Sequence, residues 1–193
     1  MSRREILFAG GLSLLCAVLA LSVATTSSPL YATNFWTDTN VYFTIGRGMT
    51  QGLMPYRDLF DHKGPLLYLL YALGACLSGT DFAGVFMLEA ASLAATLLAG
   101  YAGIRLYGRG ALSCLAIPAT AMLTATCTAF TQGGSAEEFC LPALASGLFI
   151  ALRRMREGPA CAHPLRLHAA FGAAAGWVFL IKYTGCGLFF GLG

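Results

Sequence analysis

Long apolar stretches alternate with short polar connectors along this chain. Crossing a bilayer takes about 20 residues of helix. Stretches of that order fall at about 6–25, 82–104, 111–130, 137–152 and 169–192, and each is predicted to be a membrane helix. A further apolar segment, Pro65 to Leu77, is shorter. At about 1.5 Å per residue it reaches roughly 20 Å, against a hydrocarbon core of about 30 Å. It is expected to lie along the interface, or to dip in and pack on the bundle. The connector 27–64 is long for a loop, and long irregular loops are usually functional. Within it Val41, Ile45 and Met49 recur at helical spacing, which predicts a short helix from about Thr39 to Gln51 ended by Gly52 and Pro55. The fold expected is all-α. It is a polytopic membrane helix bundle of about five transmembrane helices, with a long external first loop carrying short juxtamembrane helices.

Composition agrees with a membrane solvent. The chain is 57% hydrophobic and 11% charged, whereas soluble domains average about 25% charged. The apolar run from Ile6 to Ala24 exceeds the roughly 7–15 residues of a signal-peptide core, so a retained first helix is expected. The seven cysteines are odd in number and lack a CxxC spacing, and read as small packing residues. The chain stops at Gly191-Leu192-Gly193 without a polar tail, so a protein truncated at its C-terminus is expected.

Charge sets the orientation. If 65–77 does not cross, Arg3, Arg4, Arg105, Arg109, Arg153, Arg154, Arg156 and Arg166 share one side, eight of the twelve basic residues. The positive-inside rule makes that side cytoplasmic, with the N-terminus there. Six of the nine acids fall opposite, gathered in 27–64 and 131–138 apart from Asp81. That clustering predicts one shared external site at the plasma membrane.

Asp38 sits where the first loop turns into its short helix. It suits an N-cap, and it equally suits a general base that takes a proton from an acceptor hydroxyl. In Tyr56–Lys63, aromatic and charged residues alternate, as in an interfacial anchor. Arg57 and Lys63 there have the chemistry to bind a phosphate. Asp58, Asp61 and His62 are candidate ligands for a divalent metal. Glu137 and Glu138 open the fourth membrane helix, where acids complement the helix dipole. They equally form a second acidic site for sugar hydroxyls or a metal. Glu89 and Lys182 lie within helices, where a charge at the bilayer centre costs about 2.5–3.5 kcal/mol. They are expected to pair, or to line one outward-facing cavity. Walker, HExxH and GxSxG motifs are missing, and no basic-aromatic strip points to nucleic acid.

The stretch Asp38 to Tyr68 resembles the glycosyltransferase-C superfamily, in particular dolichyl-phosphate-mannose protein mannosyltransferases and bacterial lipid A aminoarabinose transferases. The early acid is Asp38, followed by Tyr42. The turn into the apolar segment reads Asp61-His62-Lys63-Gly64-Pro65-Leu66-Leu67-Tyr68, where the family has a Lys-Pro-Pro-Leu type. The second acid corresponds to Glu137 or Glu138, followed by Leu141-Pro142. The resemblance implies that residues 1–193 are the N-terminal part of such an enzyme, with 27–64 as its catalytic-type loop. It implies transfer of a sugar from a polyprenyl-phosphate donor to a hydroxyl of a lipid, glycan or protein acceptor, with inversion. Asp38 would deprotonate the acceptor, and Arg57, Lys63 or Lys182 would neutralise the leaving phosphate. The resemblance fixes no cofactor, and a divalent metal fits the scheme. The competing expectations are a transporter, with Glu89 and Lys182 as its pathway pair, and a lipid-binding scaffold without activity.

Overall fold

The computed structural model describes residues 2–108, 111–158 and 164–192. These residues are all-helical, with no strand among them. We number the α-helices α1 (Arg3–Ala24), α2 (Thr37–Thr50), α3 (Pro65–Leu77), α4 (Ala83–Tyr107), α5 (Ala116–Ala125), α6 (Thr128–Thr131), α7 (Ala136–Glu157), α8 (Pro164–Lys182) and α9 (Gly187–Leu192). By length and composition alone, three helical stretches suffice to cross a membrane: Arg3–Ala24, Ala83–Tyr107 and Leu165–Leu192, the last broken after Lys182.

Two apolar clusters hold the helices together. One joins α1, α4 and α5 through Ala9, Ala17, Leu21, Leu93, Leu97 and Ile117. The buried face of α1 is a stripe of small residues, Ala9, Ser13, Ala17 and Ala20. Small side chains let helix backbones approach closely where the surroundings are themselves apolar. The second cluster joins α2, α3, α7 and α8 through Tyr42, Tyr68, Tyr71, Phe139 and Ile181.

α7 contains Pro142. A proline has no N–H, so the carbonyl four residues earlier, on Glu138, loses its helical donor. The Ser92 hydroxyl of α4 donates to that carbonyl at 2.7 Å. The next carbonyl, on Phe139, accepts from the Trp177 indole of α8 at 2.8 Å. Side chains of two neighbouring helices thus bond carbonyls at the proline, which pins α4 and α8 to α7.

Three expectations need correcting. The helix expected over 111–130 is three pieces: a 3-10 turn Ala111–Leu115, then α5, then α6. Thr124, Thr126 and Cys127 turn their side chains back onto carbonyls of residues 120, 121 and 123. Such bonds compete with the backbone ladder and fray it. The connector between the helices expected over 137–152 and 169–192 is also shorter. α7 runs on to Glu157, helped by the Arg153–Glu157 pair four residues apart, and ends at Gly158 with φ +55°. The helix resumes at Pro164, and residues 159–163 lie outside the described residues.

The third correction concerns 169–192. α8 stops at Lys182, a 3-10 turn Tyr183–Cys186 follows, and α9 folds back along α8. The Cys186 thiol reaches the Ala175 carbonyl at 3.7 Å, and the Phe189 ring packs on Phe171 at 5.1 Å. Lys182 is therefore at a reversal of the chain, not deep in a continuous helix.

The two ends of the bundle differ. At one, Arg105 pairs with Glu5 and the Tyr107 hydroxyl reaches the Leu152 carbonyl. At the other, Thr26 meets Thr131 and Gln132, and the 27–64 segment covers the start of α7. Both ends of α3 meet this second end. Its N-cap Gly64 donates to the Ile181 carbonyl at 3.0 Å, and its C-terminal turn packs on the first turn of α4.

Candidate active site

The site is assembled by a strap, Thr131–Ser135, that descends between the first loop and the helices. Gly133 and Gly134 have φ +74° and +81°, a conformation that glycine adopts without steric cost. Consecutive strap carbonyls accept from the end of α1, the 27–64 segment and α3 in turn. Gln132 accepts from Thr26 and Asn34, Gly133 from Thr39 at 2.9 Å, and Gly134 from Tyr71 at 2.6 Å. So the two acidic segments, more than ninety residues apart in sequence, meet at one end of the bundle.

Thr39 docks α2, and its neighbour Asp38 is left exposed. Asp38 does not cap the helix. The N-cap is Trp36, which makes no side-chain cap bond, while its own N–H is held by Asn34. Among the described residues the Asp38 carboxylate accepts only from the Tyr42 hydroxyl, at 3.4 Å. The competition between cap and base, open in the sequence, thus leaves the carboxylate free of backbone bonds.

Tyr42 is buried. Burial pushes its phenol well above the ordinary value, and Asp38, Asp61 and Glu137 push it the same way. It stays protonated and donates. Its ring packs on Tyr71 at 5.6 Å and lies 6.4 Å from Tyr68. The Tyr68 hydroxyl donates to Asp61 at 2.9 Å and accepts the Lys63 N–H at 3.0 Å. Burial and the Asp61 bond raise that phenol as well.

The Lys63-Gly64-Pro65 turn has a steric reason for its glycine. A Cβ on Gly64 would run into the Leu180 carbonyl, and the Gly64 N–H is needed by Ile181. Pro65 starts α3, where its missing N–H costs nothing. This close approach brings Lys63 beside the end of α8.

There the glutamate doublet divides. Glu138 is buried and forms a capping box with Ser135, accepting the Ser135 N–H at 2.9 Å. Glu137 is half-exposed and pairs with Lys182, with Lys63 also within electrostatic reach. Of the two acids, Glu137 is the exposed one.

The expected Glu89–Lys182 pair does not form. α8 packs on α7, which delivers Lys182 to Glu137. Glu89 lies on α4, facing the end of α1, where it is fully buried and accepts from the Thr25 hydroxyl at 3.0 Å. The expected metal ligands are not gathered either. Asp58 is held by Arg57, Asp61 by Tyr68 and the neighbouring His62. Among the described residues no three His, Cys, Asp or Glu side chains form a cation-binding group. Arg57 is spent on Asp58 through bonds of 2.9 and 2.7 Å and projects into solvent.

Tyr71 and the bonds to the strap carbonyls were not anticipated, whereas Tyr42 and Tyr68 were named with Asp38 and the Lys63 turn. Tyr68 and Tyr71 sit one helical turn apart in α3, and Thr39 and Tyr42 likewise in α2. That shared spacing is the signal that marks a polar-tipped face. Compared with family models, curated proteins and solved structures, the chain has no match.

Proposed function

We propose that the chain carries the acceptor-activating site of a membrane glycosyltransferase using a polyprenyl-phosphate-linked sugar. Asp38 takes the proton of an acceptor hydroxyl. The acceptor oxygen then bonds the anomeric carbon from the face opposite the phosphate, the sugar–phosphate bond breaks, and the lipid phosphate leaves with inversion. Lys63 and Lys182 neutralise the charge on that phosphate, and Tyr42 orients the Asp38 carboxylate by its hydrogen bond. The observation that carries this reading is the meeting of an uncommitted carboxylate, Asp38, with the buried Tyr42 phenol, itself within the fields of Asp61 and Glu137. A general base is worth about 10²–10⁴ in rate. Asp38→Asn is expected to remove sugar transfer from a lipid-linked donor while membrane insertion is retained. An inserted variant that still transfers sugar removes the base assignment.

The same reading makes the bundle five-pass, with the site external. Its support is that the 111–131 segment runs the length of α1. Cys114 lies by Tyr101 near the arginine-rich end, and Thr131 by Thr26 at the other. Cysteines placed at the exposed Tyr31 and Arg154 in a cysteine-free background are expected to react with a membrane-impermeant reagent from opposite sides. Labelling of both from one side ends the five-pass reading. The transporter alternative loses its pathway pair, because Lys182 holds Glu137 and Glu89 holds Thr25.

A further inference from the structure

The end of the bundle away from this site carries a cavity of about 620 Å³ between α1, α4 and α7. Its polar wall is Arg105, Arg153 and Arg156, with Glu157, and its apolar wall includes Ile6 and Phe149. The guanidinium donors outnumber the acceptors they meet. A guanidinium carries five N–H donors. Arg105 donates to Glu5 at 2.8 Å and to the Gly108 carbonyl at 3.3 Å, and its Nε is buried without a partner among the described residues. Arg153 uses its Nε on Glu157 at 2.8 Å. Arg156 lies 6.0 Å over the Tyr107 ring and makes no hydrogen bond among the described residues.

The surface beside the cavity is apolar and outward-facing. Ile6, Leu7, Phe8, Ile104 and Leu148 are exposed. On helices that cross a bilayer such a belt faces acyl chains. The cavity therefore sits where that belt gives way to guanidinium groups, at the depth of a headgroup. We propose that it binds the phosphate of an anionic phospholipid, with the arginines on the headgroup and the acyl chains running down past Ile6. Charge complementarity selects the anionic lipid, and continuity with the apolar belt selects a lipid over a free anion. The proposal rests on the membrane reading and is independent of the transferase reading.

The test uses the whole chain reconstituted from vesicles of phosphatidylcholine with phosphatidylglycerol, then extracted gently. The readout is the ratio of the two lipids retained, by native mass spectrometry. The wild-type chain is expected to retain phosphatidylglycerol in preference. Each arginine removed is expected to lower that preference about fivefold, in Arg156→Gln and further in the double variant Arg153→Gln/Arg156→Gln. Arg156 makes no hydrogen bond among the described residues, so the single variant decides the matter if the double variant fails to fold. Equal retention of both lipids by the wild-type chain overturns the proposal, as does an unchanged ratio in Arg156→Gln. Displacement of the lipid by inorganic phosphate at equal concentration also overturns it, in favour of a free-anion site.

Discussion

The two ends of this bundle handle charge in opposite ways. At the arginine-rich end, Arg105, Arg153 and Arg156 line an open cavity; Glu5 and Glu157 take two of them, and guanidinium donors are left over among the described residues. At the other, carboxylates are held one by one: Glu137 by Lys182, Asp58 by Arg57, Asp61 by the Tyr68 hydroxyl. Against that background of commitment Asp38 stands out. Its one partner among the described residues is a phenol at 3.4 Å, long for a hydrogen bond between oxygens. A group left uncommitted where its neighbours are spoken for is the group available to a substrate.

The largest expected effect tests that contrast directly. Asp38→Asn keeps the shape and the Tyr42 contact but loses basicity, and transfer is expected to fall by about 10²–10⁴. Asp58→Asn, which removes the loop carboxylate already held by Arg57, is expected to leave transfer within about twofold of wild type, roughly the noise of such an assay. Equal losses in the two would erase the distinction between committed and uncommitted carboxylates.

Next in size is the close approach that brings Lys63 to Lys182. Gly64→Ala puts a methyl group against the Leu180 carbonyl. Forced overpacking costs about 1–3 kcal/mol. A lowered melting temperature and weakened transfer are expected together, since the same displacement parts α3 from α8. A fully stable Gly64→Ala variant would mean that the two helices do not need this contact.

The glutamate doublet separates structure from chemistry within two adjacent residues. Glu138→Ala removes a capping box and is expected to cost about 1 kcal/mol of stability, whereas Glu138→Gln retains the cap. Glu137→Gln is expected to leave the melting temperature nearly unchanged, because a half-exposed ion pair contributes little. Its effect should appear in transfer, through a Lys182 charge no longer held in place. If Glu138→Gln instead proves the more damaging to transfer, the roles of the two acids are reversed.

Much of this arrangement was legible from residue patterns. The short helix in the first loop was placed within two residues of either end, and the α3 segment at its observed bounds, because apolar periodicity and the Gly-Pro start are local signals. The juxtaposition of 27–64 with 131–138 followed from the distribution of acids. What stayed hidden depends on contacts between helices. Nothing local says that Ser92 will take the carbonyl freed by Pro142. Nor does anything local say that α8 will reverse at Lys182, since Tyr183–Leu192 is as apolar as a continuing helix. Glu89 and Lys182 were expected to meet because each lies within an apolar stretch taken as a continuous helix. The reversal of the chain moved one of them to the mouth, and α1 supplied a hydroxyl to the other.

The smallest effect concerns Arg57, the basic residue of the first loop that the fold spends. Asp58 is held down to about 2, first by its bond to Arg57 and then by the Met54 N–H. Both residues are solvent-facing, so Arg57→Ala is expected to leave the melting temperature at neutral pH unchanged within error. The signature is in the titration. A depressed carboxylate contributes stability that is fully present above its unfolded pKa and is lost as the pH falls through the folded value. For the wild-type chain that window runs from the ordinary aspartate range down to about 2. Without Arg57 only the Met54 bond remains, so the Asp58 midpoint is expected to rise toward the ordinary range and the window to narrow. Carboxyl titration by NMR of the wild-type and Arg57→Ala chains measures this. An unmoved midpoint would mean that Arg57 is not committed to Asp58 in solution and is free, like Lys63, to meet a phosphate.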